Sequence, residues 1–416
     1  MPEESAAEIK QVTSATEPRG KSKKSFPQYK EGAETPGFKQ VIENAGVLSA
    51  KSNIKLEGQE GKIQGQERTM ALRRTRRELM AILRRTPKTD IEKRNAIIAQ
   101  GHARDQLAEE FMSGQKEVRV DMGDLGEQMA RFVVLTPPET RKNEVQDAKP
   151  PIFLIPGISN DLESMGMLPQ ELAFEGRKVV LIGFPESWHG EVTDAFGKAA
   201  EESVDYEPHT TFFKKAIESI EQDKAVRDRI GDSLEIDLWG YSTGAAIVAE
   251  ALTDKTFREQ VANAVIIAPP SCVDQKNLKI LGQEIPLPGS ILRELWQTLR
   301  PKNIKNSPKR NVTNRHDIEF TEDHRRRMTR TYNALREKVL RRNNWWDKDL
   351  RVKDGGSITV VSYDNDQITK SYKVVEEIKQ NPQLSVIELS GSHNTPLSEP
   401  ENAINAVNNV VAGNAI

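Results

Sequence analysis

The stretch LEIDLWGYSTGAAIVAEAL, residues 234–252, decides the fold. An apolar-rich run leads into Gly240-Tyr241-Ser242-Thr243-Gly244, and AAIVAEAL then has the composition of a buried helix. A serine between two glycines where a strand becomes a helix is a demanding arrangement. Small neighbours let the backbone fold back sharply, so that the central side chain projects above the sheet. The N–H that follows it sits at a helix N-terminus, where partial positive charge is available. These are the needs of a nucleophile whose product is an oxyanion, so Ser242 is the candidate nucleophile and the Thr243 N–H one oxyanion donor. Five residues taken alone also fit a tight turn carrying an idle serine; the flanking strand and helix argue against that.

Outward from this turn the chain alternates between strand and helix patterns. EVRVDM and RFVVLTP read as strands around the turn-prone GDLG. PPIFLIPG, KVVLIGFP and VANAVIIAPP are continuous apolar strands, and SITVVSYD and LSVIELSG follow much later. TTFFKKAIESIEQDKAVRDRI and the Pro400-initiated PENAINAVNNVV read as helices. Continuous apolar runs alternating with helices predict a mostly parallel sheet of about eight strands, covered on both faces.

A serine hydroxyl needs a base, and the base an orienting acid; on this architecture they follow in the order Ser, acid, His. His316, His324 and His393 follow Ser242, and the first two lie in charged stretches. His393, in IELSGSHNTPLSEPENA, falls between the last strand and the last helix, so the strand ends bring it to Ser242. His189 precedes the serine and is the weaker candidate, better suited to lining a pocket. SITVVSYDNDQITK offers Asp366, the favoured acid, and Asp364; Asp274, after the neighbouring strand, is a third option. The second oxyanion donor is expected from the loop after IFLIPG, at the Ile158 N–H, where Pro156-Gly157 allows close backbone approach.

The chain has 416 residues, 36% of them hydrophobic and 29% charged. That is polar for one compact enzyme and implies a globular part diluted by a solvated one. A formal net charge of -2 gives no field to attract nucleic acid. One cysteine, Cys272, excludes an internal disulfide framework and fits a reducing compartment, so a cytoplasmic location is expected. The first residues show no secretory signal pattern, and no apolar run approaches the roughly 18 residues of a membrane span.

Residues 1–65 are expected to form a disordered tail and 66–115 a helical extension. In the latter, Leu72, Leu79 and Leu83, then Ile91, Ile97, Ile98, Leu107 and Phe111, have helical spacing on either side of Pro87. Two core segments, 116–274 and 353–416, flank 275–352, which lacks a convincing strand and is expected to be a helical cap. Trp296, Trp345 and Trp346 in that insert line the acyl site or form the cap's own core.

With these residues in view, the chain from 116 onward, apart from the insert, resembles the α/β-hydrolase family. IFLIPGIS resembles the oxyanion loop, LWGYSTGAA the nucleophile elbow, VVSYDNDQIT the acid turn and LSGSHNTPLSEPENA the histidine loop, in the family's order. The resemblance implies an inserted cap over the site and aligns Asp366 and His393 with the family's acid and base. The chain departs from the family at GFPESWHG, where many members carry Asp-x-Pro-Gly-x-Gly. A serine nucleophile sets it apart from members that use an aspartate.

The resulting expectation is a serine hydrolase that cleaves a carboxylic ester or related acyl bond of a small-molecule substrate, without a cofactor or metal. The rival readings are a non-catalytic scaffold binding partners through its N-terminal segment, a lipase docked on membrane through its arginine-rich helix, and an acyltransferase, C–C hydrolase or peptidase using the same chemistry. Oligomeric state is not encoded in any motif.

Overall fold

The computed structural model describes residues 79–138, 149–270 and 344–411 with short breaks, together with 9–11, 275–280, 283–288 and single helical positions between 327 and 338. Its centre is a nine-stranded sheet. In chain order the strands are β1 (Ile9–Gln11), β2 (Gln115–Asp121), β3 (Glu127–Leu135), β4 (Ile152–Ile155), β5 (Val179–Ile182), β6 (Ile236–Tyr241), β7 (Val261–Ile267), β10 (Ser357–Tyr363) and β11 (Leu384–Leu389). A separate antiparallel pair comprises β8 (Gln275–Ile280) and β9 (Gln283–Pro288). The spatial order is β1-β2-β3-β5-β4-β6-β7-β10-β11. Strands β5 through β11 in that order are parallel, whereas β3 is antiparallel to both neighbours.

From β2 onward, a hairpin that enters a parallel sheet with its third and fourth strands exchanged is the α/β-hydrolase fold. Gly123 (φ 65) and Gly126 (φ 75) supply the left-handed backbone of the β2–β3 turn. Every residue of β4, β5 and β6 is buried, which is why these segments carry no polar alternation.

One face is covered by α3 (Asp194–Glu202), α4 (Glu207–Gln222) and α5 (Thr243–Ala251), packing Phe196, Phe212, Phe213 and Ile247 over Phe153 and Leu238. The other is covered by α1 (Ile91–Ser113), α2 (Leu168–Phe174) and α6 (Pro400–Val411). Ala103, Leu107 and Phe111 of α1 belong to the same cluster as Val133, Leu154 and Trp239 of the sheet. Burying a side chain such as Leu107 or Phe111 is worth about 1.5–3 kcal/mol each. The seam is fixed by Arg104, whose guanidinium pairs with both oxygens of buried Glu171 and lies 3.9 Å over the Phe174 ring. A short helix over 79–85 precedes Pro87 and joins Leu79, Met80 and Leu83 to Ile97 and Ile98. Arg94 reaches back to the carbonyls of Leu83 and Thr86, both at 3.2 Å, and satisfies groups that a helix end leaves open.

Several sequence expectations change. In the tail read as disordered, Ile9–Gln11 pairs with β2 as an antiparallel edge strand; the rest of residues 1–65 lies outside the described residues. Ile91, read onto the apolar face, starts its helix 56% exposed. The insert read as strand-free opens with the β8–β9 hairpin. Leu278 and Ile280 flank Lys279 there, too short and polar an alternation to stand out beside the core strands. Of the expected cap helices, Arg327, Arg330, Thr331, Ala334 and Lys338 are helical. Thr331 would lie 3.1 Å from a Cβ on Gly197 of α3, and Arg330 pairs with Glu201 at 2.5 Å. Trp345 and Trp346 sit edge to face, with centroids 5.5 Å apart, within the core on the α5 side of the sheet. They pack into the core of the sheet domain rather than into a separate cap core, and Trp296 lies outside the described residues.

Candidate functional site

The parallel strands deliver their carboxyl ends to one edge, and the site is built there from three loops. β6 ends at Tyr241, and Ser242 follows with φ 55 and ψ −118 before α5 begins. A non-glycine residue in that conformation carries strain of about 1–3 kcal/mol, which the packed strand and helix hold in place. The flanking glycines are required sterically. A Cβ on Gly240 would stand 2.4 Å from the Gly244 carbonyl oxygen. One on Gly244 would stand 2.3 Å from the Ile155 oxygen and 2.4 Å from that of Pro156. The Ser242 N–H donates to the Ile267 carbonyl at 2.8 Å and the Ala245 N–H to the Ser242 carbonyl at 3.0 Å, pinning the turn on both sides. Thr243 is the first residue of α5, so its N–H has no acceptor within the helix.

His393 follows β11 in a loop shaped by Gly391 (φ 151) and by the Ser392 N–H bonding to Thr395 Oγ1 at 2.8 Å. Its Nε2 lies 3.0 Å from Ser242 Oγ, and its Nδ1 lies 2.8 Å from Asp366 Oδ2. A carboxylate only accepts, so Nδ1 carries the hydrogen and Nε2 offers its lone pair to the serine hydroxyl. Asp366 is in turn held by Thr369, whose N–H donates to Oδ1 at 3.0 Å and whose hydroxyl donates to Oδ2. Burial pushes the Asp366 carboxyl up, but the charge and hydrogen bond of His393 and the two bonds from Thr369 outweigh it. The group therefore lies below the usual carboxylate range. Ser242, His393 and Asp366 are all buried, at 5%, 1% and 0% exposure, so the hydrogen-bonded chain is shielded from bulk water along its length.

The structure thus brings together Ser242, Asp366 and His393, with Thr243 beside the serine. Asp364, the alternative acid, points elsewhere: it accepts from Ser390 Oγ at 3.0 Å and the Gly391 N–H at 2.9 Å, tying the loop after β10 to the loop after β11. Ile158, Asp274, His189, His316 and His324 lie outside the described residues; Pro156 and Gly157, which lead to Ile158, are buried at the end of β4.

Two participants were not anticipated. Thr369 had a signal in its spacing, because a side-chain oxygen often bonds the residue three further on. Tyr241 had none: its hydroxyl reaches the His393 carbonyl at 3.0 Å and Asn394 Oδ1 at 3.2 Å, contacts made only in the folded chain.

A second buried pair lies at the end of β5, where His209 Nε2 and Glu186 Oε1 are 3.1 Å apart between the edges of Phe184 and Phe196. The other ring nitrogen of His209 meets no hydrogen-bonding partner among the described residues, so this pair does not extend to a hydroxyl as the His393 pair does. Among the described residues no group of three or more His, Cys, Asp or Glu side chains is arranged to hold a metal ion. No helix among them is long and apolar enough to cross a membrane.

A hydroxyl bonded to the lone-pair nitrogen of an imidazole, whose other nitrogen is held by a carboxylate, can give up its proton as it attacks an electrophile.

No protein-family model matches the chain, and no curated protein matches its sequence. Solved structures resemble it in shape. A thioesterase domain from the curacin biosynthetic pathway is 14% identical with a TM-score of 0.43, covering 70% of this chain and 99% of its own. A thermophilic esterase from Thermogutta terrifontis is 15% identical with a TM-score of 0.44, covering 71% and 98%. The 2-hydroxy-6-oxo-6-phenylhexa-2,4-dienoate hydrolase of Rhodococcus sp. strain RHA1 is 11% identical with a TM-score of 0.45, covering 70% and 96%. Likeness at this level transfers no residue role and no substrate; the fold stands on the strand order above.

Proposed function

We propose that this chain is a serine hydrolase that cleaves a carboxylic ester or related acyl bond through an acyl-enzyme intermediate. The supporting observation is the continuous hydrogen-bonded chain from Ser242 Oγ through His393 to Asp366, at 3.0 Å and 2.8 Å, on a strained strand-to-helix turn. In the proposed reaction Ser242 Oγ bonds to the acyl carbon while its proton passes to His393 Nε2. Asp366 keeps the imidazole in the Nδ1–H tautomer and stabilises the imidazolium. The N–H groups of Thr243 and Ile158 receive the oxyanion, each donor lowering the barrier by about 2.7–4 kcal/mol. The imidazolium proton leaves with the alcohol. Water then attacks the acyl carbon, gives a proton to His393, and the acid departs as Ser242 regains its hydrogen. The steps require no cofactor. Thioesters, amides and acyl transfer use the same sequence of bond changes and differ in leaving group or acceptor. The proposal includes a cytoplasmic location, supported by the single cysteine.

Reaction with a fluorophosphonate probe tests the reading, since such probes phosphonylate an activated serine. Labelling of the wild type that disappears in Ser242→Ala is the expected result. A folded wild type that stays unlabelled removes the hydrolase and leaves the scaffold. A screen of esters of varied acyl length and leaving group, with Ser242→Ala as blank, then narrows the substrate.

A further inference from the structure

Nucleophile and base come from distant parts of the sheet. Ser242 follows β6, whereas His393 hangs from β11, with β7 and β10 lying between them. The register of Nε2 against Oγ would otherwise be transmitted through those strands and the loops above them. The bonds from Asp364 to Ser390 and Gly391 join the two outer loops to each other but reach no further toward β6.

Tyr241 closes that gap. It is fully buried and immediately precedes the nucleophile, so its position is tied to Ser242 by one peptide unit. Its hydroxyl lies 3.0 Å from the backbone carbonyl of His393 itself and 3.2 Å from Asn394 Oδ1, one proton facing two acceptors. Its ring lies against the imidazole, with centroids 5.1 Å apart and planes tilted by 34°. Packing alone would be served as well by phenylalanine. The hydroxyl adds a bond to the main chain of the residue that must receive the proton, at an angle the backbone then cannot change freely.

We propose that Tyr241 is a positioning residue of the hydrolase, its hydroxyl referencing the backbone of the base to the strand that carries the nucleophile. This rests on the serine-hydrolase reading above. It accounts for a tyrosine beside Ser242: one turn and one hydrogen bond set a distance that two loops would set loosely. Catalytic geometry is lost over fractions of an ångström, so an anchor at this point acts on the proton transfer more than on substrate binding.

The test compares wild type with Tyr241→Phe in the full chain, which keeps the ring and removes only the hydroxyl. Second-order fluorophosphonate labelling rates and kcat and KM for p-nitrophenyl acetate are measured. Both are normalised to the folded fraction by end-point labelling. The matched control is Asn263→Ala, which removes hydrogen bonds to Asp237 and Ser357 at the opposite, amino-terminal edge of the sheet. Tyr241→Phe is expected to lower labelling rate and kcat together by roughly tenfold, the scale of one buried hydrogen bond, with KM within about twofold. Asn263→Ala is expected to lose stability with an unchanged labelling rate. Wild-type rates in Tyr241→Phe, or an equal fall in both variants, overturn the inference and leave the hydrolase standing. An unlabelled wild type overturns both.

Discussion

Replacing Gly244 by alanine adds one methyl group at the most crowded point of the site. Its Cβ would lie 2.3 Å from the Ile155 oxygen, 2.4 Å from the Pro156 oxygen and 2.8 Å from the Ile155 carbonyl carbon. The first contact falls about 0.7 Å short of the closest approach that real Cβ atoms make. The obstructing atoms are all main chain, so no rotamer change relieves the clash. The start of α5 must move away from the end of β4, both of which are embedded in the core. Overpacking of this kind costs about 1–3 kcal/mol in stability. The larger effect falls on activity, because the separating elements carry the Thr243 N–H on one side and the Pro156-Gly157 turn toward Ile158 on the other. A pocket for a tetrahedral oxyanion opened by most of an ångström should lose about 10- to 100-fold in rate. Thermal unfolding and fluorophosphonate labelling of Gly244→Ala, read beside Ser242→Ala as zero, measure both effects. Wild-type melting temperature and rate together would refute the account of why the elbow needs this glycine.

Asp366→Asn preserves shape but removes the charge that fixes the imidazole tautomer; kcat on an activated ester should fall by about 10⁴. Arg104→Ala strands the Glu171 carboxylate, only 2% exposed, against the second core face; urea unfolding should show a loss of about 3–5 kcal/mol. Burial, helped by the neighbouring Glu218, pushes the Glu221 carboxyl up to about 7. The unfolded chain ionises this group first as pH rises, so the folded state binds more protons between roughly pH 4.5 and 7, and stability declines across that window. In Glu221→Gln the difference in melting temperature between pH 5 and pH 8 should shrink.

The elements legible in the sequence were those whose pattern is local and strong. The fully buried β4, β5 and β6, the Gly-Tyr-Ser-Thr-Gly turn and the Pro400 helix start each carry their own signature. Chain order then pointed to His393, and loop position favoured Asp366 over Asp364. Cross-fold partnerships outside the trio of Ser242, Asp366 and His393 left no trace in the sequence. Nothing in LWGYSTGAA says that the Tyr241 hydroxyl meets a backbone carbonyl about 150 residues later. The weak amphipathicity of QKNLKI hid a hairpin, and the short α3 behind its Thr193 cap was lost among neighbouring polar residues. Trp345 and Trp346 were assigned by their neighbours in sequence, whereas hydrophobic burial assigns them to the core beneath α5.

The docking of α1 through Arg104 and Phe111 also governs where the gene can be trimmed. A clone that begins at residue 116, on the view that everything earlier is an appendage, would strip α1 from β3 and α2 and open the side of the core that holds Val133 and Leu135. Such a fragment should be recovered as aggregate, and any apparent affinity it showed for lipid or other proteins would reflect raw stickiness. Shortened versions intended to probe the leading segment should therefore start before the helix over 79–85, so that α1 stays attached.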